Sequence, residues 1–201
     1  MDPKFTTRAR ATHPRQRGFS LIEMGVALVI IGGLIMAMYT LYRSMMLDRQ
    51  VNAYRIDLNK TVNVIRSVYG SRLSTYGMDV QTMSLAGAWP SERVSNLGSS
   101  NVLVRGHFPG STETVSGTGT PAAKLRINRV PLEACVRMLQ VFAAQAGVSQ
   151  IMVYEAGEEL PSYNNLRDAS NGQYRLSMAN AVLACGKEGS PTKDIEFSFN
   201  V

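Results

Sequence analysis

The chain has 201 residues, 45% apolar and 18% charged, with a formal net charge of +6, enough for one domain with a proper core and an appendage. The charge alone suggests a polyanion-binding protein. Residues 1–18, however, carry Lys4, Arg8, Arg10, Arg15 and Arg17 against Asp2, so +4 of the +6 belongs to the first 18 residues and nucleic-acid binding by the body is disfavoured.

From Met24 to Tyr42, 19 residues carry no formal charge, bounded by Glu23 and Arg43. A helix of that length rises roughly 28 Å, close to the ~30 Å hydrocarbon core of a bilayer. A cleaved secretory signal shares the basic start and apolar middle, but its apolar region is about 7–15 residues long and is followed by small residues. Here the run is longer and ends in the bulky "MAMYTLY". The segment is therefore expected to stay in the mature protein and to span the membrane over about residues 19–42, with its basic end toward the cytoplasm.

The stretch "RGFSLIE", Arg17 to Glu23, resembles the processing site of type IV prepilins. The resemblance implies that a membrane prepilin peptidase cuts between Gly18 and Phe19, removing residues 1–18 as a leader, and N-methylates Phe19. Gly18 suits such a cut, since it has no side chain to obstruct an active site and tolerates an unwound backbone. Glu23 is the only acid in the apolar stretch, and an acid near the bilayer centre costs about 2.5–3.5 kcal/mol without a partner. In the family that partner is the amine of a neighbouring subunit, which makes Glu23 an assembly residue. On the residues alone, Glu23 could instead lie among the headgroups or pair with its own chain's amine. The chain has Ser20 where many family members have threonine, and no proline follows in the membrane helix. Gly32 and Gly33 are the expected weak point, each costing about 1 kcal/mol of helix propensity, with loosening in a filament near Ile31 to Leu34. Alternatively Gly25, Gly32 and Gly33 allow close helix packing.

Leu47, Val51, Tyr54, Leu58, Val62, Ile65 and Tyr69 recur at intervals of three and four residues, which predicts an amphipathic continuation. The expectation is one helix over about residues 19–70, fraying near Gly70 and Gly77, followed by a globular head over 71–201. Beyond Trp89 and Pro90 the pattern predicts a short apolar run at Val102–Val104, and a loop over Gly110–Thr120. A strand through "KLRINRV" turns Leu125, Ile127 and Arg129 to one side. A helix then opens near Pro131, with Glu133 favourable to its dipole, and ends at Gly147. "SQIMVYEA" reads as a strand, Leu176–Ala184 as a short helix, and "DIEFSFNV" as a half-buried strand with Ile195, Phe197, Phe199 and Val201 inward. The fold class is α+β, an antiparallel sheet packed on the amphipathic half of the long helix. The resemblance implies the pilin lollipop layout.

Cys135 and Cys185 are the only cysteines, and both lie in the part that topology places outside the cytoplasm. An even count in an oxidising compartment favours a disulfide bounding residues 135–185, with two buried free thiols as the alternative. The arrangement looks most like the type IVb and conjugative thin-pilus branch, where such a bridge encloses the variable surface. Once the leader is removed His107 is the remaining histidine, in "RGHFPG", expected to be an exposed surface residue. Neither a structural zinc site nor a hydrolase, phosphate-loop or metalloprotease motif occurs, so no catalytic residue, metal or cofactor is expected. Glu155, Glu158 and Glu159 read as a solvated turn, with calcium as a weaker alternative.

The resemblance implies a structural subunit of a type IVb-like pilus, polymerising through its N-terminal helix for attachment, cell contact or conjugation. Its implied partners are identical subunits, the prepilin peptidase, the pilus assembly platform, the inner membrane before assembly, and host or recipient cell surfaces. The implied location is the inner membrane as precursor, then an extracellular fimbrium of a Gram-negative bacterium. A minor pilin or a type II secretion pseudopilin would share the N-terminal features. A membrane-anchored periplasmic enzyme or binding protein is the reading from another class.

Overall fold

A computed structural model of the chain describes residues 20–71, 74–99, 101–145, 147–159, 163–168, 176–186 and 190–201. They fall into two compact units, one ending at Ser44 and the other running from Met45 to Val201. The first unit contributes the start of helix α1 (Leu21–Tyr69), 49 residues without a break. Residues 31–34, where loosening is expected in a filament, are helical here.

In the second unit, α1 runs on as an amphipathic helix. Val51, Tyr54, Leu58, Val62, Ile65 and Tyr69 are buried as the spacing predicts, with Leu47 partly covered. Gly70 follows the helix, its N–H still donating to the Arg66 carbonyl at 2.8 Å. A short helix α2 (Val80–Leu85) comes next, capped by Asp79, whose carboxylate accepts from the Thr82 N–H at 2.7 Å. A 3-10 turn at Ser91–Arg93 leads into strand β1 (Val94–Ser95) and strand β2 (Leu103–Arg105). The rest of the chain supplies β3 (Thr112–Gly117), β4 (Ala122–Pro131), α3 (Leu132–Ala143), β5 (Val148–Glu155), β6 (Tyr163–Asp168), α4 (Met178–Gly186) and β7 (Thr192–Asn200).

The seven strands form one sheet in the order β1-β2-β3-β4-β7-β5-β6, every neighbouring pair antiparallel. Register across the centre aligns Leu125, Phe197 and Ile151 in one row and Ile127, Ile195 and Val153 in the next. These rows are buried, and the Phe142 ring of α3 packs on Phe197 with centroids 4.6 Å apart. The α+β expectation therefore holds, with strands and helices sharing one core that includes the second half of α1.

Several local expectations fail for identifiable reasons. The stretch Gly110–Thr120, expected to be a loop, contains β3, whose inward positions are Glu113 and Val115. With a carboxylate at one of two inward positions there is no apolar alternation to read. Arg129 does not face inward: it sits at a bulge in β4 between Ile127 and Val130, exposed and at φ 58°, with its N–H donating to Asp194 Oδ1 at 2.8 Å. Helix α3 ends at Ala143, and Gly147, at φ 92°, belongs to the turn into β5. Strand β7 is buried on both faces rather than one, because long side chains of its neighbours β4 and β5 fold over its second face. Asp194, Glu196 and Ser198 on its second face are covered by Lys124, Arg126 and Tyr154, with Arg126 stacked 4.2 Å from the Tyr154 ring centroid.

Phe197 is wholly buried at the centre of the first of these rows, next to the second. Phe197→Ala should cost about 3–5 kcal/mol, read as a lowered urea midpoint of the detergent-solubilised chain; a loss below about 1 kcal/mol would show that these rows do not hold the unit together.

Candidate functional site

Helix α1 begins with a local cap. The Ser20 carbonyl accepts from the Met24 N–H at 3.1 Å and its hydroxyl accepts from the Ile22 N–H at 3.4 Å. Glu23 occupies the first turn, where the helix dipole favours a negative charge. The S-x-x-E spacing of Ser20 and Glu23 is a capping-box signature that a reading for membrane function alone overlooks. Gly18 and Phe19, the expected processing pair, lie outside the described residues.

From Glu23 to Arg43 every residue of the helix is exposed. Large apolar side chains from Leu21 to Tyr42 are exposed, Leu21 at 93% and Val29 at 76% among them. A Cβ added at Gly25, Gly32 or Gly33 would meet nothing. The segment has a mean hydropathy of 2.4 over its most apolar window and is long and apolar enough to cross a membrane. Soluble monomers rarely expose a continuous apolar patch beyond a few hundred Å², so this surface requires lipid or other chains.

A second cluster lies in the head, where α1 meets β2, β3 and the segments flanking them. Arg93 forms ion pairs with both Asp57 of α1 and Glu113 of β3. Glu113 also accepts from Trp89 Nε1 at 2.7 Å, and His107 Nε2 lies 2.7 Å from Asp57 Oδ2. The Tyr54 hydroxyl accepts from the His107 N–H at 2.8 Å and meets the Ser111 hydroxyl at 2.9 Å. A Cβ at Gly106 would collide with both of those hydroxyls, so only glycine fits there. Burial pushes the Glu113 carboxyl upward against the pull of Arg93, and burial lowers His107 despite its bond to Asp57. The Tyr54 phenol is pushed up to about 12 by burial and by the Glu113 charge.

His107 is thus not the surface histidine expected; its side chain is 23% exposed and engaged with α1. The Ser111 hydroxyl is committed to Tyr54 and the Phe108 backbone. The cluster therefore fastens loops to a helix rather than pairing a nucleophile with a base. Nothing in the spacing of Asp57, Trp89, Arg93, His107 and Glu113 announces this, because the packing of α1 against the sheet and its flanking segments brings them together.

Cys135 of α3 and Cys185 of α4 form a disulfide with Cα atoms 5.9 Å apart, both residues buried. Among the described residues no three or more His, Cys, Asp or Glu side chains group as metal ligands. Of the three acids expected in a solvated turn, Glu158 and Glu159 are exposed. Glu155 is not: it ends β5, and Lys193, itself wholly buried, reaches it with Nζ 2.5 Å from Oε1.

Residues 13–39 match the family model described as the prokaryotic N-terminal methylation motif. The fold is similar to the crystal structure of a type IVb pilin from Salmonella typhi, with 19% identity and a TM-score of 0.54 over 77% of this chain and 99% of that one. No curated protein matches the chain in sequence. The chain carries the methylation motif at its N-terminal end and has the fold of a type IVb pilin.

Two outcomes test the geometry of the head. Replacing both cysteines with serine should cost about 4 kcal/mol for a closed loop of this size, measured as a drop in urea midpoint that reductant reproduces in the wild type. For His107, whose folded pKa is lowered, the unfolded chain binds the proton more readily. The stability it contributes is complete above about pH 6.5 and is lost as pH falls through the folded value. Thermal melts of wild type and His107→Gln should therefore keep a constant gap from pH 8 to 7, and the wild type should lose ground to the variant from pH 6.5 to 5. A constant gap throughout would show that His107 does not titrate differently on folding.

Proposed function

We propose that this chain is a structural subunit of a type IV pilus of the IVb kind, made as a membrane-anchored precursor and polymerised through α1 into an extracellular filament. The observation that carries the reading is the first half of α1: an apolar helix exposed throughout, with Glu23 in its opening turn. The methylation motif over residues 13–39 and the IVb pilin fold support it.

In this reading residues 1–18 form a basic leader, and a prepilin peptidase cuts between Gly18 and Phe19 and N-methylates Phe19. The bilayer covers the apolar helix of the stored precursor. During assembly the helices exchange lipid for one another, and burial at about 25 cal/mol per Å² of apolar surface holds the filament together. Each incoming Phe19 amine pairs with Glu23 of a subunit already in place, which sets register because an unpaired acid in an apolar bundle is costly. The heads cover the outside and carry attachment, cell contact or conjugation, with the disulfide-bounded region 135–185 as the exposed variable surface.

Mass spectrometry of the mature N-terminus should find N-methylated Phe19; an intact Met1 or a start near Thr40 would remove the reading. Glu23→Ala should still be trimmed but should lower the yield of sheared fibres by about tenfold or more, as the loss of a pairing worth about 1.4 kcal/mol or more requires. Normal fibre yield from that variant would sink the role given to Glu23.

A further inference from the structure

We infer that the solvent face of α1 between Arg49 and Arg66 is a docking surface for a second copy of this chain, and that it receives the acidic turn at Glu158–Glu159. The inference deepens the filament reading above and rests on it for the setting in which the contact is used.

Arg49, Arg55, Lys60 and Arg66 are all exposed. The one acid in that stretch, Asp57, is turned away and held by Arg93. An α-helix returns to nearly the same azimuth after 11 residues. Arg49 and Lys60 therefore form one basic rail, and Arg55 and Arg66 form another. Between the rails lie Asn52, Ile56, Asn59 and Asn63, with Ile56 61% exposed. Asn59 Oδ1 accepts from Gln145 Nε2, and Gly147 lies close to the Arg66 guanidinium, so the turn after α3 borders the face at its far end. The buried stripe of Val51, Tyr54, Leu58 and Ile65 occupies the opposite side. The ion pairs of the head use Arg93, Lys124, Arg126, Arg137 and Lys193, and among the described residues they leave these four cations outside.

The complement lies elsewhere on the same chain. Glu158 and Glu159 are adjacent and exposed on the turn after β5. That turn is fastened from beneath: the Glu158 N–H donates to the Glu155 carbonyl at 3.0 Å, and the Glu158 carbonyl accepts from Arg126 Nη2 at 2.6 Å. The Gly157 N–H donates to Asp194 Oδ2 at 3.3 Å. Arg126 and Asp194 are paired with each other, and Arg129 lines the same cleft. The two outward carboxylates are thus presented on a fixed backbone, which lowers the ordering cost of binding.

A protein turn suits the face better than a nucleic acid does. Ile56 between the rails gains from protein cover and gains little from a sugar-phosphate backbone. Because the basic face and the acidic turn are different patches of one chain, the contact is head-to-tail, the kind that propagates into an open helix instead of closing a dimer.

Zero-length carbodiimide coupling of a mixture of isotopically light and heavy full-length chains, in fibres and in detergent-solubilised membranes, tests the contact. The expected product is a mixed-label peptide joining Lys60 to Glu158 or Glu159. Its absence in both preparations overturns the inference, while its presence in membranes without fibres upholds the contact and removes the filament reading. Charge reversal gives a second readout. Arg55→Glu with Lys60→Glu, or Glu158→Lys with Glu159→Lys, should each cut fibre yield about tenfold or more, and the chain carrying all four should recover most of it. Normal yield from the α1 variant, or failure of the four-fold chain to recover while its thermal melt is unchanged, overturns the pairing. Fibres unchanged in the α1 variant with loss of DNA retention by the full-length chain would assign the face to a polyanion instead.

Discussion

The structure is governed by an apolar surface that one chain cannot cover. From Leu21 to Tyr42 the large apolar side chains of α1 are exposed, and water is the one surrounding they do not tolerate. In the filament reading proposed above, a bilayer would satisfy them in the stored state and a bundle of identical helices in an assembled one. The two environments are close in polarity, so transfer between them costs little hydrophobic free energy. Polar details then decide the geometry: where the helix starts, at Ser20, and where the one acid of its apolar stretch lies, at Glu23.

The head turns the same helix to a different use. Its second half is the central beam of a core, and the contacts joining it to the sheet are not all apolar. Arg93 draws two carboxylates, Asp57 and Glu113, into a partly dehydrated junction and adds His107 and Trp89 to it. Burial of its carboxylate makes Glu113 hold its proton more tightly than usual, against the pull of Arg93 and the Trp89 bond, with the Asp57 charge adding to the same direction. Breaking one member of such a group strands the others without solvent. The junction joins the segments around Trp89, Arg93 and His107 to the helix through Asp57 and Tyr54.

Much of this was legible in the sequence and part was not, along a physical line. The stripe from Leu47 to Tyr69 places the buried face of α1 because helical period and burial are both local properties. Strand β5, helix α3 and the two cysteines were readable for the same reason. Strand β3 was not, since Glu113 takes an inward position that an apolar residue would have signalled, and its partner Trp89 lies 24 residues away. The burial of β7 on both faces depends on strand order, which no local pattern encodes. His107 looked like a surface residue because Asp57, which holds it, precedes it by 50 residues. The acid at Glu23 stood out by contrast with its surroundings, whereas the cap at Ser20 lay in plain view as a spacing.

Strand β7 gives the chain a timetable. It sits between β4 and β5, the strands it pairs with most extensively, yet it follows every other element in chain order. Until it arrives, the two halves of the sheet have no seam, and Cys185 precedes it by only a few residues. The two half-sheets are joined only through the last strand to be made, so the longest-range pairing of the fold needs the whole chain.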